Sequence, residues 1–361
     1  METKEVTLLI TERCNLECFY CYECGKAARD MSLETAVGII EKELNADNDV
    51  EHIAFQLFGG EPFSAFETIE GIVCYLKTHD FKKDWSISSI TNGTLLHGRI
   101  QDWLKDNSDF ALSLSLDGTK QMHDATRCGS FDNIDLDFFK EQYPGSRAKM
   151  TVSPQTLSSL AEGVIFLHSL GFRVHNNLGY GIDWSDEVNV ALLERELMSL
   201  VEYYLAHPEI EECSMLAFPF RDLYVSQGKA IRSCDAGCGV IAYDVDGKEW
   251  PCHMFMPMTA GEDRSKHVSE IDFPPKIVPC HSLNEKCRTC EIVSVCSFCY
   301  ADNWLERGSI YACDEAQCEL SKITFKAKAF LAAEKWARGL LNLTEQDEKM
   351  LIAAIQLVNE L

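Results

Sequence analysis

Three cysteines stand close together near the start of the chain: Cys14, Cys18 and Cys21, within Thr11-Glu-Arg-Cys-Asn-Leu-Glu-Cys-Phe-Tyr-Cys-Tyr22, a C-x3-C-x2-C spacing. Thiolates so spaced on one loop can take three corners of a 4Fe–4S cube. The fourth iron then has no protein ligand and is able to bind and reduce another molecule. Cys24 follows three residues later and could in principle fill that corner, but the spacing is already satisfied without it. A second constellation comes later: Cys234-x3-Cys238, Gly247-x4-Cys252, Cys287-x2-Cys290-x5-Cys296-x2-Cys299, then Cys313 and Cys318. Paired C-x2-C units are a common zinc signature, and eight of these nine cysteines would suit two metal sites of either kind. Cys74 and Cys128 read as small buried residues, and Cys213 and Cys280 as non-ligands.

The whole chain sets limits on this chemistry. It has 361 residues, 46% of them hydrophobic, and carries seventeen cysteines. Neither a signal peptide nor an apolar run of the roughly 20 residues that span a bilayer is found. A cytoplasmic location is therefore expected, where thiols stay reduced and clustered cysteines point to metal or catalysis rather than disulfides. The formal charge of −24 argues against nucleic acid as a partner.

Such sites need a scaffold to position them. Up to about residue 206 short β-rich runs alternate with helical segments. Strands are expected at Val6–Thr11, His52–Phe58, Ser86–Thr91, Phe110–Leu116, Ala148–Ser153 and Arg173–Leu178. Helical periodicity falls at Leu33–Leu44, Phe66–Thr78, Leu96–Lys105, Asn133–Gln142, Leu157–Leu170 and Glu187–Ala206. Six strand–helix units imply an α/β fold with a parallel sheet, two units short of a closed barrel. Residues 1–206 thus read as an open, partial (β/α)6 TIM barrel. Residues 207–321 show little periodicity and no obvious core, and so need metal to fold. Residues 322–361 read as helices with a break at Leu341-Asn-Leu-Thr344.

Function in parallel α/β folds sits at the C-terminal ends of the strands. The cysteine triad follows the first strand, Gly59-Gly60-Glu61-Pro62 the second, Thr91-Asn92-Gly93 the third and Ser115-Leu-Asp117-Gly118 the fourth. These residues resemble the radical S-adenosylmethionine superfamily. The triad with Tyr20 looks like its cluster loop, and Gly59–Pro62 looks like its GGEP motif. The resemblance implies that the open iron chelates the amino and carboxylate groups of S-adenosylmethionine. Reductive cleavage would then yield a 5′-deoxyadenosyl radical that abstracts hydrogen from the substrate. Gly59 and Gly60 would let backbone approach the ligand closely, and Glu61 would offer a carboxylate to its ammonium group. Ser115, Asn92 and Asp117 are candidates for ribose or carboxylate contacts. Arg127, in His123-Asp-Ala-Thr-Arg127, would pair a substrate or cofactor carboxylate. Each has a plainer reading as a turn glycine, a capping residue or a surface arginine.

The later cysteines resemble the SPASM extension of these enzymes, which holds two auxiliary 4Fe–4S clusters. By that likeness Cys234, Cys238, Cys252 and Cys299 hold the first, and Cys287, Cys290, Cys296 and Cys318 the second. Two residues rather than three precede Cys299, a small departure. Cys318 is preferred over Cys313 because it opens the Cys-Glu-Leu-x3-Thr-Phe segment.

SPASM enzymes mostly act on peptides or proteins. Sulfatase maturases are expected to place an Asp just after the Gly-x4-Cys cysteine; here that place holds His253, in Trp250-Pro-Cys-His-Met-Phe255. This is similar to maturases of ribosomally made peptides, which form thioether or carbon–carbon links. His253 is the candidate base or cluster hydrogen-bond donor, against a role as a packed neighbour. The resemblance implies a ribosomal precursor peptide as substrate, an external electron donor such as flavodoxin or ferredoxin, and auxiliary clusters as electron acceptors. Because the chain begins almost at its first strand, a separate leader-binding protein or strand addition by the precursor is expected. The other readings are formylglycine formation, small-molecule radical dehydrogenation and, more remotely, a zinc-stapled binding protein.

Overall fold

The computed structural model describes residues 3–220, 229–231, 234–274, 277–279, 283–293, 295–296 and 299–359. Cys280 lies outside them. The first half runs β1 (Thr3–Thr11), α1 (Leu33–Leu44), β2 (His52–Gly59), α2 (Phe66–Thr78), β3 (Asp84–Thr91), α3 (Arg99–Asp106), β4 (Ala111–Ser115). It continues with α4 (Lys120–Thr126), α5 (Leu136–Gln142), β5 (Arg147–Val152), α6 (Leu160–Ser169), β6 (Arg173–Leu178) and α7 (Val188–Ala206). All six expected strands are present. Helix α4 is an addition, too short at seven residues for its periodicity to show. The later elements are β7 (Lys229–Ile231), β8 (Val240–Tyr243), β9 (Glu249–Trp250), α8 (Pro257–Ala260), α9 (Glu262–Ser265) and β10 (Ile277–Pro279). Four helices close the chain: α10 (Glu285–Arg288), α11 (Tyr300–Arg307), α12 (Glu315–Ala337) and α13 (Glu345–Val358).

Two compact units emerge, and they do not part at residue 206. One comprises Met1–Leu116, His123–Lys149 and Asp235–Phe273; the other comprises Asp117–Met122, Met150–Cys234 and Pro274–Leu361. The reason is β8. It pairs in parallel with β1, from Glu5 opposite Val240 to Leu8 opposite Tyr243, so a late segment completes the first sheet. A four-residue strand in a cysteine-rich region gives no periodic signal, and the sequence did not reveal it.

In the first unit the strands lie in the order β4-β3-β2-β1-β8-β9, and all pairs except β8–β9 are parallel. The start of β5 continues this beside β4, with Ser115 opposite Lys149. Side chains alternate across the sheet. Ile53, Phe55 and Leu57 on β2, and Leu112 and Leu114 on β4, are buried in an apolar layer. On the other face Gln56, Phe58, Ser113, Ser115 and Lys149 remain half-buried. That open, polar face is what a ligand-holding partial barrel requires.

In the second unit β6 and α6 lead into α7, whose Leu193, Leu197, Leu200 and Val201 are fully buried. Helix α12 packs against α7, and the Lys335 ammonium pairs with Glu212 at 2.5 Å. The C-terminal helices thus belong to the same core as α7 and are not a separate appendage. Helix α12 also starts earlier than expected, at Glu315, because Asp314 caps it by accepting from the Ala316 and Gln317 amides. Cys318 therefore sits in its first turn. No helix among the described residues is long and apolar enough to cross a membrane.

Candidate active site

The triad loop leaves β1 and is fastened at several points within the first unit. The Arg13 guanidinium donates to Asp30 at 2.5 and 2.9 Å and to the Ser64 carbonyl at 2.7 Å. The Asn92 side-chain amide donates to Asn15 at 2.9 Å, and Asn15 donates to the Thr94 hydroxyl at 2.7 Å. The Phe19 amide reaches the Thr126 carbonyl at 2.9 Å. Asn92 thereby ties down the loop, and its own oxygen also accepts from Thr94.

Gly59 and Gly60 lie hard against the cysteine loop, which their missing side chains admit. A Cβ on Gly60 would lie 2.5 Å from the Arg13 carbonyl oxygen and 2.8 Å from the Cys14 Cβ, and one on Gly59 would strike the Thr11 carbonyl. This close approach lets the Glu61 amide donate to Arg13 at 2.8 Å and the Gly60 amide donate to Thr11 at 3.2 Å.

The Glu61 carboxylate is 1% exposed. It accepts from the Phe63 amide at 3.2 Å, the Thr91 hydroxyl at 2.7 Å and the Asn92 amide at 2.7 Å. Three of its roughly four lone-pair positions are thus used within the protein. Burial pushes its pKa up to about 7, against the pull of these donors and of the Arg127 charge. One carboxylate so joins the ends of β2 and β3 beneath the triad.

Cys14, Cys18 and Cys21 are half-buried. Lys26, which the sequence reading missed, reaches over them. Its ammonium donates to the Leu16 carbonyl at 3.1 Å. Although burial alone would lower its pKa, the Cys21, Cys14 and Cys18 sulfurs raise it. A cation beside three thiols favours their thiolate forms, the state that binds iron. The only sequence signal was a lysine five residues beyond the last cysteine.

Around this loop stand the remaining side chains of the site. The Arg127 guanidinium lies 5.3 Å from the centre of the Tyr20 ring, a cation–π arrangement. Cys128 beside it is exposed, with a left-handed backbone (φ 57°) and its thiol 3.0 Å from the Glu17 carbonyl. It is not the buried residue expected. Nor is Cys74, which is exposed and falls off the stripe Phe66, Ile69, Val73 and Leu76 that α2 buries. His253 lies against Phe58, with ring centres 4.6 Å apart, and its Nε2 is 3.2 Å from the Tyr22 hydroxyl. Burial, helped by the Lys149 charge, holds the His253 pKa down to about 4, so the ring is neutral near pH 7. The neighbouring Glu23 is buried, accepts from Thr259 through one oxygen at 2.8 Å, and leaves the other without a partner. Burial pushes its pKa up to about 8. Asp117 belongs to the second unit, where it is fully buried and accepts from the Thr151 amide at 2.9 Å.

The donor sets can be weighed against the clusters they would hold. Three thiols under a lysine, on a loop fixed to three neighbouring segments, fit a cube with one open iron. In the second unit Cys287, Cys290, Cys296 and Cys318 come together, and Cys313 joins them. Burial first, then neighbouring thiols, push Cys287 up to about 11 and Cys296 and Cys318 up to about 12, with Cys313 acting on all three. Cys287, Cys296, Cys313 and Cys318 line one hollow with Tyr180 and Ser321. Buried thiols this weak as acids ionise only where a metal compensates their charge. Cys299 is likewise raised to about 12, chiefly by burial, with Cys234 contributing. Cys238 and Cys252 lie in the first unit. Among the described residues no three Cys, His, Asp or Glu side chains converge on a single-ion site.

A model of the Radical SAM superfamily matches residues 8–193, just over half of the sequence. The chain belongs to the radical SAM superfamily. Its match to the radical SAM cyclopropyl synthase TigE of Paramaledivibacter caminithermalis is 22% identical and covers 90% of this chain and 74% of TigE. A cysteine-type anaerobic sulfatase-maturating enzyme of Clostridium novyi is 32% identical over 155 residues, which span 39% of its own length. Native anSMEcpe, solved with bound AdoMet and Cp18Cys peptide, superposes with a TM-score of 0.69 at 17% identity, covering 94% of this chain and all of that one. Streptococcus suis SuiB bound to its precursor peptide SuiA gives a TM-score of 0.54 at 16% identity, covering 87% of this chain and 76% of that one. These superpositions establish the mixed α/β radical SAM fold, with its mostly parallel sheet and cysteine-rich C-terminal region.

Proposed function

We propose that this radical SAM protein is a peptide maturase that forms an oxidative crosslink, a thioether or a carbon–carbon bond, in a ribosomal precursor. The observation carrying this reading is His253. It follows Cys252 where a sulfatase-type enzyme is expected to hold Asp, and it stands between Tyr22 and Phe58 on the open side of the first unit. The likenesses to TigE and to SuiB with its precursor peptide favour the same class.

With a 4Fe–4S cluster and S-adenosylmethionine bound, the triad site supplies a carbon radical that removes hydrogen from an unactivated C–H bond, and auxiliary clusters supply an electron acceptor. The protein's share is position and proton handling. Cys14, Cys18 and Cys21 would hold the first cluster, with Lys26 offsetting its negative charge. Glu61, Asn92 and the two glycines fix that loop against β2 and β3. Tyr20, Ser115 and Arg127 face the cofactor, Arg127 as the partner for a carboxylate. Forming the crosslink releases a second proton from substrate and one electron. The neutral His253 ring can accept that proton. Its low basicity means it holds the proton only briefly, and the Tyr22 hydroxyl at 3.2 Å is the next group along. Cys287, Cys290, Cys296 and Cys318, and the set that includes Cys234, Cys238, Cys252 and Cys299, would hold auxiliary clusters, whose chemistry would be that of an electron acceptor. Flavodoxin or ferredoxin would provide the starting electron.

The test is anaerobic incubation of the reconstituted protein with S-adenosylmethionine, dithionite and short Cys-rich or repeat-bearing peptides encoded beside its gene. A product two hydrogens lighter than the precursor is expected. Unchanged peptide alongside abortive cofactor cleavage would overturn the reading. Formylglycine in a co-expressed sulfatase would favour the sulfatase-type alternative, for which the Clostridium novyi relative speaks.

A further inference from the structure

Lys149 was not among the residues the motifs singled out. It lies on β5 directly opposite Ser115, and its backbone carbonyl accepts from the Leu116 amide at 3.0 Å. The alternation of β5, with Ala148 fully buried, turns Lys149 to the same open face as Ser115 and Phe58. Its ammonium is half-buried there. Among the described residues it meets no carboxylate and makes no hydrogen bond. Burial lowers its pKa, and the repelling charge of Arg127 lowers it further.

Such an arrangement is costly. Removing an ammonium from water without a partner is strongly unfavourable, and a second cation nearby adds to the cost. The chain has 57 acidic residues against 33 basic ones, so a pairing carboxylate was not scarce. Apolar packing is no explanation either, since the face it occupies is the polar one. A partner brought by a ligand removes the penalty.

We propose that Lys149 is a carboxylate-binding residue for the substrate, so that the segment being modified carries an acidic side chain close to the reacting carbon. Two cations and two carboxylates are to be matched. Arg127 sits over Tyr20 in the triad loop, and its charge reaches Glu61; it serves the cofactor's carboxylate. The Lys149 charge reaches His253 instead, and so lies where the substrate is deprotonated. The inference rests on the peptide-maturase reading, but its test does not depend on crosslinking.

The probes are two N-acetylated, C-amidated pentapeptides, Ala-Ala-Glu-Ala-Ala and Ala-Ala-Gln-Ala-Ala, titrated into the cluster-loaded enzyme with S-adenosylmethionine present. Their Kd values are read by calorimetry for the wild type, Lys149→Met and Lys149→Arg. The wild type is expected to prefer the Glu peptide by about tenfold, as a charge-assisted hydrogen bond in a sheltered site allows. Lys149→Met removes the preference, and Lys149→Arg keeps most of it. Melting temperature and iron content show that the variants are folded and loaded. A preference that survives in Lys149→Met, or no preference in the wild type, overturns the proposal. Loss of S-adenosylmethionine affinity in Lys149→Met with the peptide preference intact would assign the carboxylate to the cofactor and overturn the substrate assignment. A Glu preference without any crosslinked product would retain carboxylate binding and reject peptide maturation.

Discussion

Gly60→Ala isolates the packing that seats the triad. Gly60 is not among the residues with positive φ, so alanine suits its backbone and the effect comes from contact alone. The added Cβ would lie 2.5 Å from the Arg13 carbonyl oxygen, whereas ordinary contact begins at 3.4 Å, so the loop must retreat by about 0.9 Å. That carbonyl accepts the Glu61 amide at 2.8 Å, and a retreat of this size takes it beyond hydrogen-bond range. Overpacking costs about 1–3 kcal/mol and a lost buried hydrogen bond about 1–3 kcal/mol. Together these come to about 2–6 kcal/mol, so at about 2–4 °C per kcal/mol for a domain of this size the melting temperature should fall by roughly 4–24 °C. Cys14 moves with Arg13, so the anaerobically loaded variant should also hold about four fewer irons per chain. Calorimetry and iron analysis read the two effects. Gly38→Ala in α1, which meets nothing within 4 Å, is the control and should stabilise by about 0.5–1 kcal/mol. A Gly60→Ala protein with wild-type melting and iron would refute the close-packing argument.

Three further outcomes are expected. Glu23 is held at about 8 against an ordinary value of 4.5. Its contribution is therefore complete below about pH 4.5 and lost as pH rises through 8. Glu23→Gln should melt higher than the wild type at pH 8 to 9, with the gap closing towards pH 5; a pH-independent gap counts against it. Lys26→Met removes the cation over the triad and should lower the reduction potential of the loaded cluster, seen by spectroelectrochemistry, and an unchanged potential would place Lys26 outside its field. Because Cys313 acts on both Cys287 and Cys318, Cys318→Ser should keep most of its iron while Cys313→Ser/Cys318→Ser loses about four per chain; equal loss in both proteins would deny Cys313 any ligand role.

Much of the scaffold could be read from the sequence because its strands alternate with amphipathic helices of ordinary length. Val6–Ile10, Ile53–Leu57 and the buried stripe of α2 carry strong periodic signals, and the motifs fall at strand ends where parallel sheets place function. What escaped was short or three-dimensional. Four residues of β8 rejoin the first sheet across more than two hundred positions, so no window could show that Asp235–Phe273 belongs with β1. Sequence also cannot show that the Arg13 carbonyl packs against Gly60. Lys26 and Lys149 escaped for a related reason. A single lysine has no pattern, and only the fold shows one above three thiols and the other on the open face with no counter-charge among the described residues.

The most direct measurement follows the hydrogen. Reconstituted enzyme, S-adenosylmethionine and a uniformly deuterated precursor peptide are incubated without oxygen, and the 5′-deoxyadenosine formed is weighed by mass spectrometry. A radical started at Cys14, Cys18 and Cys21 and spent on a peptide predicts one deuterium in the 5′-deoxyadenosine, matched by a crosslinked peptide in equal amount. Unlabelled 5′-deoxyadenosine, formed at the same rate with or without the peptide, would contradict it.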